Sequence, residues 1–337
     1  MSAQGAEVDM TVVDVHTHIL SEEYIRLLAE HGGPTYEVKV DRSGGPTIHR
    51  NGAPFHTLQP AMFDVDMRLQ AMDRGGVDIG VLSLAAPSVY WGSDADSLQA
   101  ARQMNDYIAG NSREHPDRFA GIATLPWRSA ADSLPELDRA IDELGLKGVM
   151  VLANIEGRPL TDPAYAPIWE AIDRRGLAVF VHPITPPGAD QMDMLDYNLV
   201  AAVGFMIDTT LAFARMIYDG FFDRYPNISM IAPHAGATLP YLAGRLDQCW
   251  DKMPACRVNI SQPPSSYLRR IYYDTVCYRQ DALDLCLKVG GPSQLLYGSD
   301  YPHNISDMTG CLARAEALPG EVVEDVKSRN AMRIFGL

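Results

Sequence analysis

Basic residues are scarce in this chain of 337 residues: 28 Lys and Arg stand against 43 Asp and Glu, a formal net charge of −15. That balance repels phosphate backbones and anionic membrane surfaces, so neither nucleic acid nor a membrane is expected as a partner. An anionic substrate would instead need local positive charge, from a metal ion or from particular arginines. No G-x-G-x-x-G follows any β-prone run and no phosphate loop is present, which weakens a nucleotide-binding reading. Cysteine is sparse too: Cys249, Cys256, Cys277, Cys286 and Cys311 are odd in number and form no C-x-x-C pair. Reduced, mostly buried thiols in a cytoplasmic protein follow from that pattern. Residues Met1 to Glu7 lack the basic and apolar regions of a signal peptide. No apolar run approaches the roughly 20 residues that a membrane span requires. What remains is ordinary for a globular protein able to bury a large core, with 47% hydrophobic and 21% charged residues.

The stretch Val12-Val13-Asp14-Val15-His16-Thr17-His18 organises the rest. Val12, Val13 and Val15 make a β-prone run, and strand side chains alternate faces, so His16 and His18 project to one side. Two imidazoles on one face at a strand end can chelate a single divalent ion. Further along, Ser21-Glu22-Glu23-Tyr24 reads as a helix start. Residues 34–60 then break the rhythm. Tyr36–Val40, Thr47–Arg50 and Pro54–Leu58 are short extended runs separated by turns at Asp41-Arg42-Ser43-Gly44-Gly45 and Asn51-Gly52. They predict a small antiparallel β insertion over one end of the main domain.

From residue 64 onward apolar runs alternate with helical segments: Ile79–Ala85, Phe119–Leu125, Gly148–Ala153, Leu177–His182, Ile228–Ala232, Ile271–Val276 and Gln294–Gly298. With the first strand they make eight β runs, nearly all separated by helices. That count predicts an α/β fold, a closed (β/α)8 TIM barrel as a single domain over residues 1–337, rather than an open doubly wound sheet.

Chemistry in such barrels sits at the C-terminal strand ends. Strand one ends in His16 and His18, strand five in His182-Pro183, strand six in Pro233-His234-Ala235-Gly236, and strand eight in Ser299-Asp300-Tyr301-Pro302. A single histidine after an apolar strand is more often a hydrogen-bonded structural residue. Five ligand-type or acid–base residues converging from four remote strands are harder to explain that way, and a metal site is the better reading. Neutral imidazoles with one carboxylate suit zinc, manganese or iron.

These residues resemble the amidohydrolase superfamily and, within it, the decarboxylase branch typified by aminocarboxymuconate-semialdehyde decarboxylase. The likeness is carried by Asp14-Val15-His16-Thr17-His18-Ile19-Leu20, Val181-His182-Pro183, His234-Ala235-Gly236 with Gly244-Arg245, and Gly298-Ser299-Asp300-Tyr301-Pro302. The β insertion, Arg68-x-x-x-Met72-Asp73 and Asn330-Ala331-x-x-x-Phe335 also match, so it spans essentially the whole chain. The resemblance implies that His16, His18, His182 and Asp300 bind one divalent ion, Zn2+ before Mn2+, and that His234 orients or deprotonates its water. Binuclear members add a modified lysine at the end of strand four; here that strand ends in Leu152-Ala153-Asn154, with Lys147 at its other end.

Two departures put the branch's original substrate in doubt. The insertion arginine that grips a substrate carboxylate is replaced in Phe55-His56, and a tryptophan after His182-Pro183 is replaced by Ile184. Arg245 matches a second carboxylate-binding arginine that in the family reaches the neighbouring subunit, which implies a homodimer. His56 could take an arginine's part weakly, with Arg50 or His49 compensating, and His303 is another candidate at the rim. The expected activity is non-oxidative decarboxylation of an aromatic or unsaturated, muconate-type acid in aromatic-compound catabolism. Asp300 or His234 would deliver the proton that replaces CO2. The alternative is a metal-dependent hydrolase or hydratase built on the same ligands; a non-catalytic binding module would be expected to have lost some of them.

Overall fold

The computed structural model describes residues 11–40 and 45–337. The expected turn at residues 41–44 and the start of the chain at residues 1–10 lie outside the described residues. Strand β1 spans Val13–Ile19 and is buried along its whole length. It pairs in parallel with β2, Ile79–Leu84. Strand β3 is interrupted at Ile122: Phe119–Gly121 pairs with β2, and Ala123–Thr124 pairs with β4, Gly148–Leu152. Parallel pairing continues through β5 (Ala178–His182), β6 (Ser229–Ala232), β7 (Tyr272–Asp274) and β8 (Leu295–Leu296).

The sheet closes between its first and last members. Val15 N donates to the Tyr297 carbonyl at 3.0 Å, His18 N to Tyr301 at 2.8 Å, and Asp300 N to His16 at 2.8 Å. The architecture is therefore a (β/α)8 barrel, with near-continuous apolar strands because helices cover the outside. Strand β8 is shorter than the run Gln294–Gly298 suggested, because Tyr297 to Tyr301 bend to meet β1. Gly298 permits this closure. A Cβ there would lie 2.9 Å from that of His16 and 3.1 Å from that of Asp274.

The insertion folds as expected, with Tyr36–Val40, Pro46–Arg50 and Ala53–Thr57 in an antiparallel sheet. Local signals start and stop the helices. Ser21 caps Glu22–His31 by accepting from Tyr24 N, and Asp64 caps Val65–Gly75 by accepting from Met67 N at 2.8 Å. Gly76 ends the latter helix in the left-handed region at φ 68°. The aromatic residues Tyr90, Trp91 and Trp127 are buried. All five cysteines are free, but only Cys286 and Cys311 are buried, fewer than expected.

One expectation needs correction. The helical stretch Asp196–Tyr218 is, among the described residues, long and apolar enough by length and composition alone to cross a membrane. Asp196, Asp208 and Arg215 punctuate the run, so no uninterrupted apolar segment of that length exists within it. It is docked on the barrel by a buried carboxylate: Asp208 accepts from Ile184 N at 2.9 Å and from Asn154 Nδ2 at 2.9 Å. Its outward side carries exposed Val203, Ile207 and Leu211, four residues apart on one face.

Candidate metal centre and active site

His16 and His18 leave β1 on the same face and are fully buried, joined there by His182 at the end of β5 and Asp300 beyond β8. One ligand atom from each of the four lies within 4.8 Å of the others. Each imidazole is oriented through its other nitrogen. His16 Nδ1 is 2.7 Å from Asp274 Oδ2, His18 Nδ1 is 3.0 Å from Ser83 Oγ, and His182 Nδ1 is 2.8 Å from the Pro183 carbonyl. Pinned this way, the rings turn their Nε2 atoms inward. His16 Nε2, His18 Nε2 and Asp300 Oδ1 are buried without a hydrogen-bond partner, although Asp300 Oδ1 is 3.1 Å from the first and 3.4 Å from the second. Orphaned acceptors around a common point, at full burial, fit a divalent cation as the missing partner. Strand four contributes no fifth ligand: Asn154 is engaged with Asp208, and Lys147 is exposed. One ion is what the arrangement can hold.

The electrostatics agree with a site built for positive charge. Burial opposes an ionised Asp300, yet the neighbouring imidazoles, His16 foremost, hold its carboxyl well below the usual range. Burial likewise opposes a charged His16, but Asp300 and Asp274 outweigh it and raise its pKa to about 10. His18 and His182 are pushed well below the ordinary histidine value, mainly by burial. Two neutral imidazoles and a carboxylate are thus ready to ligate without losing a proton.

His234 follows β6 in an unusual backbone. His234, Ala235, Gly236 and Ala237 all have positive φ, at 55°, 52°, 73° and 55°. Ala235 N is held by Asp274 Oδ1 at 2.9 Å, which anchors this strained turn to β7. Its effect is to bring His234 Nε2 to 3.8 Å from Asp300 Oδ2 while the ring faces a cavity of about 790 Å3.

His56, from the insertion, and His303 line the same cavity, with ring centroids 4.8 Å apart. His303 also lies 4.9 Å from the His18 ring. Burial lowers the pKa of both, that of His303 strongly. Neutral rings carry no fixed positive charge of the kind an arginine supplies. Arg50 is the one Lys or Arg among the cavity's described lining residues, and its Nε is buried without a hydrogen-bond partner. Arg245 does not join the site within one chain: it sits exposed on the helix Leu239–Lys252, outside the cavity lining.

Sequence reasoning missed three supporting residues. Asp274 ends β7, where the same strand-end rule that found the histidines would have found it. Ser83 sits near the end of β2. Arg68 is fully buried and donates to Thr17 Oγ1 and the His18 carbonyl, fixing the His16-Thr17-His18 segment from below.

Three comparisons place the chain among known proteins. The family model described as Amidohydrolase matches residues 13–337. A 2-amino-3-carboxymuconate-6-semialdehyde decarboxylase of Dictyostelium discoideum is 32% identical, covering 94% of this chain and 86% of that one. The crystal structure of 5-carboxyvanillate decarboxylase from Sphingomonas paucimobilis superposes with a TM-score of 0.85 at 26% identity, covering 97% of this chain and 99% of the other. A second 5-carboxyvanillate decarboxylase, from Novosphingobium aromaticivorans and solved as a mutant with bound manganese, shares the fold at a TM-score of 0.83 and 24% identity, covering 99% of each chain.

Proposed function

The chain belongs to the amidohydrolase family, and we infer that it is a metal-dependent, non-oxidative decarboxylase of an aromatic or muconate-type carboxylic acid. The observation that carries this reading is the convergence of four inward ligand atoms within 4.8 Å, at the floor of a cavity large enough for an aromatic acid. The decarboxylase relatives named above support the reaction class.

We assign His16, His18 and His182, through Nε2, and Asp300, through Oδ1, as ligands. A bound divalent ion would supply Lewis-acid attraction for the substrate's carboxylate or an adjacent oxygen. The N/O ligand set suits zinc or manganese, and manganese in the Novosphingobium enzyme raises its standing. Breaking the carbon–carbon bond leaves its electron pair on the ring carbon. A proton held at His234 Nε2, with the Asp300 carboxylate 3.8 Å away to orient it, takes the vacated position as CO2 departs, so aryl carboxylate plus one proton becomes arene plus CO2. His56 and His303, both neutral, offer ring faces and hydrogen bonds to the substrate's uncharged substituents.

We propose further that the protein acts as a cytoplasmic homodimer. Five free cysteines suit a reducing compartment. The exposed apolar face of Val203, Ile207 and Leu211 lies on the helical stretch that packs beside Leu239–Lys252, the helix carrying exposed Arg245, and it is the surface we propose a partner covers. Arg245 of each subunit would then serve the other's cavity. Mixing Arg245→Ala with Asp300→Asn subunits is expected to restore activity that neither variant has alone. A mixture as inactive as its components would remove Arg245 from the site.

The function itself is tested by elemental analysis with a CO2-release screen over hydroxybenzoates, aminobenzoates and muconate-type acids. One metal per chain and CO2 from some member is the expected result. Metal without CO2 from any acid would move the chemistry to hydrolysis or hydration; no metal after reconstitution with zinc or manganese would refute the ligand assignment.

A further inference from the structure

The cavity of about 790 Å3 is several times the ~150 Å3 that accommodates one benzene ring. An aromatic carboxylate seated at the metal-binding floor leaves most of it unfilled. His182, His234, Asp300 and His303 belong to the metal-binding end; of the other lining residues Leu195, Phe205, Met206, Tyr278, Leu285 and Ile305 are large and apolar, with polar side chains such as Arg50, Asp190, Asn198 and Asn304 among them. Four of these side chains are exposed at the cavity mouth: Leu195 at 55%, Tyr278 at 52%, Leu285 at 37% and Ile305 at 55%. Tyr278 Oη donates to the Ile305 carbonyl at 2.9 Å, tying the loop after β7 to the loop after β8 and fixing one wall. Large apolar side chains grouped around a concave opening mark a surface that something apolar covers.

We propose that the substrate is an aromatic acid carrying a bulky apolar substituent, alkyl or aryl, directed away from its carboxylate. The substituent occupies the outer half of the cavity, against Met206, Leu285 and Ile305. The proposal rests on the decarboxylase reading only for the orientation of the acid; the apolar subsite stands on volume and lining. Within one chain Arg50 is the single Lys or Arg among the described lining residues, so what this chain itself offers the outer half is mainly apolar contact.

The test uses the metal-loaded protein and a series of 2-hydroxybenzoates bearing a hydrogen, methyl, propyl, butyl or hexyl group at position 4. Affinity is measured by calorimetry, with CO2 release followed in parallel. Each buried methylene is expected to tighten binding about three- to fourfold, reaching roughly 100-fold by the butyl member. In the double variant Leu285→Asn/Ile305→Asn the butyl member should lose about tenfold more affinity than the methyl member. A flat or falling series overturns the proposal, including one that is flat because a second copy of the chain covers the mouth. An unchanged slope in the double variant overturns it as well. CO2 release with a flat series leaves the decarboxylase reading intact and removes the subsite. A rising series without CO2 keeps the subsite and removes the decarboxylase.

Discussion

Replacing Asp274 by asparagine should weaken metal binding without touching a ligand. Asp274 is fully buried, and its two oxygens have separate duties. Oδ2 meets His16 Nδ1 at 2.7 Å, while Oδ1 accepts from Ala235 N at 2.9 Å and Val276 N at 3.0 Å. Burial works against its ionised form, but these contacts, the His16 hydrogen bond first, hold its pKa below the usual carboxylate value. An asparagine has one acceptor for three donors. If its oxygen faces the two backbone amides, its NH2 faces His16 Nδ1, which must then accept, and the imidazole proton moves to the Nε2 that would ligate. If its oxygen faces His16, the NH2 opposes two buried N–H groups, and each unsatisfied donor costs about 1–3 kcal/mol.

Both arrangements penalise the ligating tautomer of His16. Loss of such an orienting partner lowers metal affinity about 10- to 100-fold, or about 1.4–2.7 kcal/mol. Competition with a chelator of known affinity, read for Mn2+ and Zn2+, measures the change directly. Circular dichroism and urea unfolding of the metal-free variant confirm that the fold is retained. A folded Asp274→Asn variant that binds metal within twofold of the parent would refute the assignment of His16 as a ligand oriented by Asp274.

His234→Asn is expected to lower kcat about 10²- to 10⁴-fold with metal stoichiometry unchanged, as measured by CO2 release and elemental analysis; a loss under tenfold would remove His234 from proton delivery. Arg68→Met keeps much of the side chain's bulk but strips donors from Thr17 Oγ1 and the His18 carbonyl, and should cost about 2–4 kcal/mol in urea unfolding with the m-value unchanged. Asp208 gives a pH signature. Burial raises its pKa from 3.8 to about 6, so the folded state binds the extra proton between those values. Its stabilising share is complete below pH ~4 and is lost as pH rises through ~6, a change of about 3 kcal/mol. Relative to Asp208→Asn, the parent should lose that amount between pH 4 and 7.5; a difference independent of pH would contradict the shift.

Much of the centre was legible because its histidines lie in apolar strands and Asp300 just beyond one, where alternation and strand order settle which side chains face inward. His16, His18, His182 and Asp300 needed only that rule. Asp274 and Ser83 were harder, since they act through His16 and His18 rather than by their own motif, and the His16–Asp274 pair is separated by 258 positions. The barrel count and the insertion were readable from runs and turns. The end of β8 was not, because its length is set by closure onto β1 and not by local propensity. Arg245 shows another limit: the motif that singled it out does not say where its side chain lies, and within one chain it is exposed and outside the cavity lining. The apolar length of Asp196–Tyr218 was hidden by three charged residues, of which Asp208 is the one that docks the helix on the barrel.

The seam between β1 and β8 has a consequence for how the protein is made. His16 and Asp300 join there through the Asp300 N–His16 O bond, so the ligand set draws on both ends of the chain. At ribosomal speeds of roughly 5–20 residues per second, Asp300 emerges some 15–60 s after His16. Through that interval the first histidines are on a nascent chain with no carboxylate opposite them. The four-residue cluster is therefore incomplete until nearly the whole chain has been made. A ribosome that stalls before Asp300 yields a chain that lacks this carboxylate and the Asp300 and Tyr301 side of the closing seam, leaving β1 with an unpaired sheet edge.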